Sequence, residues 1–280
     1  MKLMRVGSPG EERPALLAAD GSIRDLSGLV RDIDGQMLAT HALNQLRKAD
    51  HEKLPIISPA MRVGPCVARP LNFVCIGLNY EDHANEAGLP IPKEPIIFLK
   101  SLSAYSGPND DVRIPRGSVK TDWEVELGVI IGTRASDVSE SAAMEHIAGF
   151  CVINDVSERE FQSERGGTWD KGKGCDTFGP TGPWLVTADE VADAQRLRLW
   201  LDIDGKRVQD GNTSRMIFPV RSLVSYVSRF ITLHPGDIIA TGTPSGVGVG
   251  AKPRPVFLSA GQTMRLGIDG LGEQTQRVVA

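Results

Sequence analysis

Apolar and polar positions alternate through Asp122-Trp123-Glu124-Val125-Glu126-Leu127-Gly128-Val129-Ile130-Ile131-Gly132, and β-branched residues crowd its end, so this run predicts a strand. Side chains alternate faces along a strand, which puts Glu124 and Glu126 on one side and Val125, Leu127 and Val129 on the other. A second apolar run, Phe150-Cys151-Val152-Ile153, predicts another strand and ends in Asn154-Asp155. Between them, Ser139 to Ile147 is predicted as a helix closed by Gly149. Further strands are predicted at Phe73 to Gly77, Trp184 to Val186, Leu197 to Ile203, Asp237 to Ala240 and Met264 to Ile268. Asp204-Gly205 marks a hairpin turn into Lys206-Arg207-Val208. Val220 to Phe230 carries Leu223, Val227 and Phe230 on one side, as a helix would.

The first part of the chain differs in pattern. Short strands are predicted at Met1 to Val6, Ala15 to Ala18 and Gly21 to Ile23, with a helix over Ala39 to His51. Pro55, Pro59, Pro65 and Pro70 then punctuate a connector that cannot be regular helix. The predicted organisation is a small accessory domain over 1–65 and a catalytic domain over 66–280. The fold class is β-rich α+β, with neither repeats nor low-complexity tracts.

Composition adds mainly exclusions. Hydrophobic residues make up 41% and charged ones 24% of the 280 residues, as in ordinary globular proteins. The formal charge of −4, without a basic stripe interleaved with aromatics, argues against a nucleic-acid partner. No run approaches the roughly 18 apolar residues a membrane helix needs, and residues 1–14 lack a signal-like apolar core. Cys66, Cys75, Cys151 and Cys175 show no C-x-x-C pairing and read as reduced structural thiols, which makes the cytoplasm the default location.

Candidate chemistry centres on the acidic positions. Two carboxylates adjacent on one face of so apolar a strand repel each other unless a cation neutralises them. Asp155 offers a third carboxylate at a strand end. Three acidic oxygens without clustered His or Cys suit a hard divalent ion, Mg²⁺ or Mn²⁺, rather than Zn²⁺; a solvated acidic face is the competing explanation. His83 and Glu86 are three apart, neighbours on a helical turn, and make a competent base pair if the turn caps a site. Lys171-Gly172-Lys173-Gly174-Cys175-Asp176-Thr177 reads as a flexible cationic loop, from which a lysine could neutralise an oxyanion. Arg159 and Gln162 follow Asp155 closely enough to lie near any ion there. Gly246-x-Gly248-x-x-Ala251 satisfies a dinucleotide glycine pattern but runs into Lys252-Pro253-Arg254-Pro255, which cannot open the required helix. It fits the backbone wall of a small-molecule pocket better.

Taken together, these segments resemble the fumarylacetoacetate hydrolase family from about Asn72 to the C-terminus. The resemblance rests on Gly77-Leu78-Asn79-Tyr80 with His83 and Glu86, and on Asp122 to Gly132. It continues through Asn154-Asp155-Val156-Ser157-x-Arg159 and Gly172-Lys173-x-x-Asp176-Thr177-x-Gly179-Pro180. Pro235-Gly236-Asp237 and Thr241-Gly242-Thr243-Pro244-x-Gly246-Val247-Gly248 complete it. Leu258-Ser259-Ala260-Gly261-Gln262 departs from the Leu-x-x-Gly-Asp common in relatives, at a position suited to a turn.

The resemblance implies β-rolls and mixed sheets around a divalent metal, usually in a homodimer. It implies Glu124, Glu126 and Asp155 as metal ligands, His83 and Glu86 as a base dyad on a segment that orders with substrate, and Lys173 facing the reacting oxygen. Arg159, Gln162 and Thr243 would hold the substrate, and Lys100 is counted with them. The implied activity is hydrolysis of a carbon–carbon bond in a 2,4-dioxo acid, an acylpyruvate or a diketo sugar acid. Decarboxylation of oxaloacetate or keto–enol isomerisation could use the same site, and a non-catalytic keto-acid sensor is the alternative from a different class.

Overall fold

A computed structural model describes the backbone of residues 1–280 and every side chain except that of Thr40. An 11-stranded mixed sheet forms the spine. Its centre is Val125–Ile131 paired antiparallel with Ile147–Asn154, register Glu126 opposite Ile153 and Leu127 opposite Val152. Every residue of both strands is buried, which their near-continuous apolar composition requires. On one flank, Ile238–Ala240 pairs with Val125–Ile131 and runs parallel to Phe73–Gly77, which pairs with the edge strand Ile96–Leu99. On the other flank, Gly179–Thr187 joins Ile147–Asn154 to the N-terminal strand Lys2–Val6.

Through that pairing, Arg13–Leu17, Ile23–Asp25 and Ile56–Ile57 extend the same sheet. The N-terminal helices Gly35–Leu38 and Thr40–Arg47 lay Met37, Leu38, Leu43 and Leu46 into one core cluster with Ile130 and Ile153.

Alternation along Val125–Ile131 feeds two cores. Val125, Leu127 and Val129 face Leu199, Leu201, Leu266 and Ile268, from a five-stranded sheet that packs across. The opposite face carries Ile130 into the other cluster and, at its near end, Glu126 and Glu124. The strand that places the acids is thereby fixed on both sides.

Two predicted elements differ. Ser139 to Ile147 contains only the 3-10 turn Ala143–His146, and Ile147 already opens the next strand. Gly149 caps nothing; it lies within that strand, where a Cβ would stand 2.2 Å from the Val186 carbonyl oxygen. The loop around Lys173 is instead a one-turn helix, Asp170–Lys173, whose Lys173 is buried. Asp204-Gly205 forms the expected turn, both residues with positive φ.

Candidate active site

Glu124, Glu126 and Asp155 converge, with one carboxylate oxygen from each lying within 4.8 Å of the others. All three are buried. Glu124 and Glu126 come from the start of the central strand, and Asp155 from the residue after its partner ends, its N–H donating to the Glu124 carbonyl at 2.9 Å. Gly242 contributes an N–H to Glu126 Oε2 at 2.8 Å. It can do so because its φ of +92° and the absence of a Cβ let the chain turn against Asn79.

Cations surround this trio. Lys173 Nζ donates to Glu124 Oε2 at 2.7 Å and to Asp155 Oδ2 at 2.8 Å. Arg159 places Nη2 2.7 Å from Glu124 Oε1, Nε 2.8 Å from Asp122 Oδ2, and donates from Nη1 to Gln162 at 3.0 Å. Asp122 in turn accepts the N–H groups of Gly248 at 2.6 Å and Val249 at 2.9 Å. That contact ties the glycine-rich loop to the arginine.

Lys100 stands behind Asp155 rather than on the cavity wall. Its Nζ lies 2.6 Å from Asp155 Oδ1, donates to the Phe178 carbonyl at 2.9 Å and the Val156 carbonyl at 3.2 Å, and also reaches the Lys173 carbonyl. So enclosed, its ammonium positions an acid and has no face turned to the cavity that holds His83 and Lys173. Its place among the substrate contacts is revised accordingly.

The electrostatics divide the carboxylates. Burial pushes Glu124 up, but the Lys173 ammonium and the Arg159 guanidinium outweigh it and hold the group below the usual carboxylate range. Glu126 lacks such a partner. Burial, then repulsion from Asp155 and Glu124, lift it well above that range. Burial likewise opposes charge on Lys173, yet Asp155 and Glu124 overcome it and the amine is held as an ammonium.

The donor set fits a hard divalent cation. Asp155 Oδ1 is fully buried and has no hydrogen-bond donor of proper geometry, and Glu126 carries a charge penalty that a cation would remove. Carboxylate oxygens have two acceptor directions each, so the ammonium contacts leave room for a second bond.

A cavity of about 320 Å³ opens onto Glu124 and Glu126, with Asp155 reached through Lys173. Glu124, Glu126, Arg159, Lys173, Gln162 and Thr243 all line it, together with His83. The Thr243 hydroxyl is already committed, donating to the Val125 carbonyl at 2.9 Å and accepting from Gln209 at 2.8 Å. His83 sits on the short helix Glu81–Glu86, with Nδ1 3.6 Å from Glu86 Oε2 and no hydrogen-bond partner. Glu86 is held from the other side by the Gly246 N–H at 3.0 Å. Seven of the predicted site residues thus line one cavity, with Asp155 behind them on Lys173 and Glu86 beside His83, while Lys100 stands behind Asp155.

The fumarylacetoacetate (FAA) hydrolase C-terminal family model matches residues 72–279, most of the chain and all of these residues. The chain belongs to the fumarylacetoacetate hydrolase family. A protein of Burkholderia ambifaria (strain MC40-6), carrying only a general hydrolase name, is 62% identical over 276 residues, covering 99% of this chain and 98% of its own length. Among solved structures, 2-hydroxyhepta-2,4-diene-1,7-dioate isomerase from Mycobacterium marinum superposes with a TM-score of 0.73 at 32% identity, covering 100% of this chain and 98% of that one. Maleylpyruvate hydrolase from Sphingobium sp. SYK-6, in complex with manganese(II) ion and pyruvate, gives a TM-score of 0.81 at 28% identity, covering 100% and 99%. Family membership accounts for the β-rich mixed-sheet fold seen here. Among the described residues no helix is long and apolar enough to cross a membrane.

Asp122 and Trp169 escaped the sequence reading of the site. Asp122 lies two residues before Glu124 on the alternating run, so the period itself placed it on the acidic face. Trp169 lines the cavity beside Gly77, a proximity that no local pattern encodes.

Proposed function

We propose that this family member is a metal-dependent hydrolase that cleaves a carbon–carbon bond in a 2,4-dioxo acid, an acylpyruvate or diketo sugar acid. The observation that carries this reading is His83. Its ring lines the same cavity as Glu124, Glu126 and Lys173, with one nitrogen unpartnered 3.6 Å from Glu86. A base so placed above a carboxylate cluster can activate water, and its carboxylate neighbour stabilises the imidazolium that forms.

Held by Glu124, Glu126 and Asp155, Mg²⁺ or Mn²⁺ would supply Lewis-acid polarisation of a 2-oxo acid. Arg159 and Gln162 orient the substrate carboxylate. His83 takes a proton from water as its oxygen bonds to the C4 carbonyl carbon. The C3–C4 bond then breaks, its electron pair passing to the C3 side as a pyruvate enolate, and a proton returns to C3. Lys173, held as an ammonium, faces the negative oxygen of that fragment. A small rotation of the His83 or Glu86 side chain would shorten the 3.6 Å His83–Glu86 gap to a hydrogen bond. A homodimer is the assembly this reading retains.

Keto–enol isomerisation is the second reading, favoured by the likeness to the M. marinum isomerase and by a His83–Glu86 distance too long for a hydrogen bond. Oxaloacetate decarboxylation would use the same residues. The test is to mix protein, Mg²⁺ and acetylpyruvate, then follow enol absorbance and pyruvate together. Loss of enol with stoichiometric pyruvate and acetate supports hydrolysis. Enol loss without pyruvate supports isomerisation, and pyruvate from oxaloacetate alone supports decarboxylation. No change with any dioxo acid or oxaloacetate would leave a keto-acid sensor.

A further inference from the structure

The cavity changes character between floor and mouth. Its floor holds Glu124, Glu126, Arg159, Lys173 and His83. Outward from Lys173, whose Nζ lies 5.3 Å from the centre of the Phe98 ring, the wall continues to Trp169, edge to face with Phe98 at 5.3 Å. Ala87, Leu89 and Val249 form the mouth with the neutral polar Gln162 and Ser163, and Leu89 is 48% exposed. Beyond the floor, no Lys, Arg or His is among the described residues that line it.

The floor cations have their charge matched already, Arg159 by Asp122 and Glu124, Lys173 by Glu124 and Asp155. The basic side chains on the neighbouring turn are engaged elsewhere. Arg165 pairs with Glu160 at 2.5 Å and stacks on Phe161, while Lys171 donates to the Arg165 carbonyl. Lys252 and Arg254 are exposed and stand off the cavity. The ionisable groups that the Glu81–Glu86 helix brings beside the mouth, other than His83, are acidic. Asp82 accepts from Ser245, and Glu86 accepts from Gly246.

A second carboxylate at the far end of a ligand would therefore leave water for a largely apolar wall whose polar groups, Gln162 and Ser163, are neutral and which offers no cation. We infer that this site selects 2-oxo acids carrying one carboxylate, at the chelating end, and an uncharged tail, and discriminates against those with a tail carboxylate. For turnover the inference rests on the dioxo-acid reading above; for binding it does not.

The experiment compares ligands matched in length. Binding of 2-oxopentanoate and 2-oxoglutarate to the Mn²⁺-loaded protein is measured by calorimetry, and kcat/KM is measured for 2,4-dioxoheptanoate and 2,4-dioxoheptanedioate. The uncharged member of each pair is expected to win by about ten-fold or more. Leu89→Arg, which adds a cation at the mouth, should shrink that gap, while Leu89→Gln should not. If neither dioxo acid is cleaved, the proposed reaction fails and the binding pair still decides the tail. Equal or tighter binding of 2-oxoglutarate, or faster turnover of the dioate, overturns the tail inference and leaves the dioxo-acid reading standing.

Discussion

The ring of Trp169 rests directly on the backbone of Gly77, so closely that a Cβ at Gly77 would stand 2.3 Å from a ring carbon. The glycine that ends the Phe73–Gly77 strand thus seats the aromatic wall of the cavity. Gly77→Ala should push Trp169 into the cavity. Overpacking of this kind costs about 1–3 kcal/mol. We expect a lower thermal midpoint and at least a roughly ten-fold weaker oxalate affinity, about 1.4 kcal/mol, with Mn²⁺ affinity nearly unchanged. Calorimetry with each ligand separates the two effects.

Glu126→Ala removes one of three converging carboxylates. Mn²⁺ binding and turnover should be lost together. His83→Ala should keep Mn²⁺ affinity while turnover drops by roughly 10²–10⁴, the usual worth of a general base. Metal titration of both variants checks the assignment, and equal Mn²⁺ affinity in wild type and Glu126→Ala would contradict it.

The raised Glu126 would make affinity for a metal at the trio pH-dependent. Its folded-state value lies above the ordinary 4.5, so its contribution to metal-free stability is full below that value and is lost as pH rises through the raised one. Glu124, displaced downward, acts only in more acidic solution, where its contribution is lost as pH falls. In chelator, Glu126→Gln should therefore gain on wild type in thermal midpoint as pH is raised from about 5 to 8. Mn²⁺ binding by wild type should release a proton over the same range, seen as a dependence of binding heat on buffer ionisation enthalpy. Glu126→Gln should show none from this group.

Asp122→Ala strips Arg159 of one carboxylate and the Gly248 and Val249 N–H groups of their acceptor. Breaking a buried pair from one side costs about 3–5 kcal/mol. Oxalate affinity should fall with stability, because Arg159 is no longer oriented, and denaturant unfolding beside oxalate titration tests both. Lys100→Met should be comparably destabilising, since it leaves buried Asp155 with Lys173 alone.

Local periodicity carried much of the site. Alternation put Glu124 and Glu126 on one face, and a spacing of three put His83 beside Glu86, because both relations follow from backbone geometry over a few residues. Lys100 was misread because its role depends on carbonyls at Val156, Lys173 and Phe178, all far away in sequence. Most of Gly179–Thr187 and all of Gly272–Val279 went unread as strands. The first is rich in Gly and Pro. The second alternates polar residues, and its buried Gln274 and Gln276 spend their amides on the carbonyls of Val152, Gly182 and Pro108. A buried glutamine satisfied across sheets looks like a surface residue to any hydropathy pattern.

The ion pairs at the cavity floor balance themselves. Asp122, Glu124 and Asp155 face Lys100, Arg159 and Lys173, three against three, with Glu126 favouring its proton. A resting pocket of this kind has little long-range pull on a passing organic acid. A dication held there would be offset only by Glu126, whose carboxyl is pushed toward its neutral form by burial and by Asp155 and Glu124, and the pocket would turn net positive. On the proposed reading, loading would then be sequential by electrostatics alone, ion first and anion second, so that the pull on an organic acid would rise only once the ion is seated.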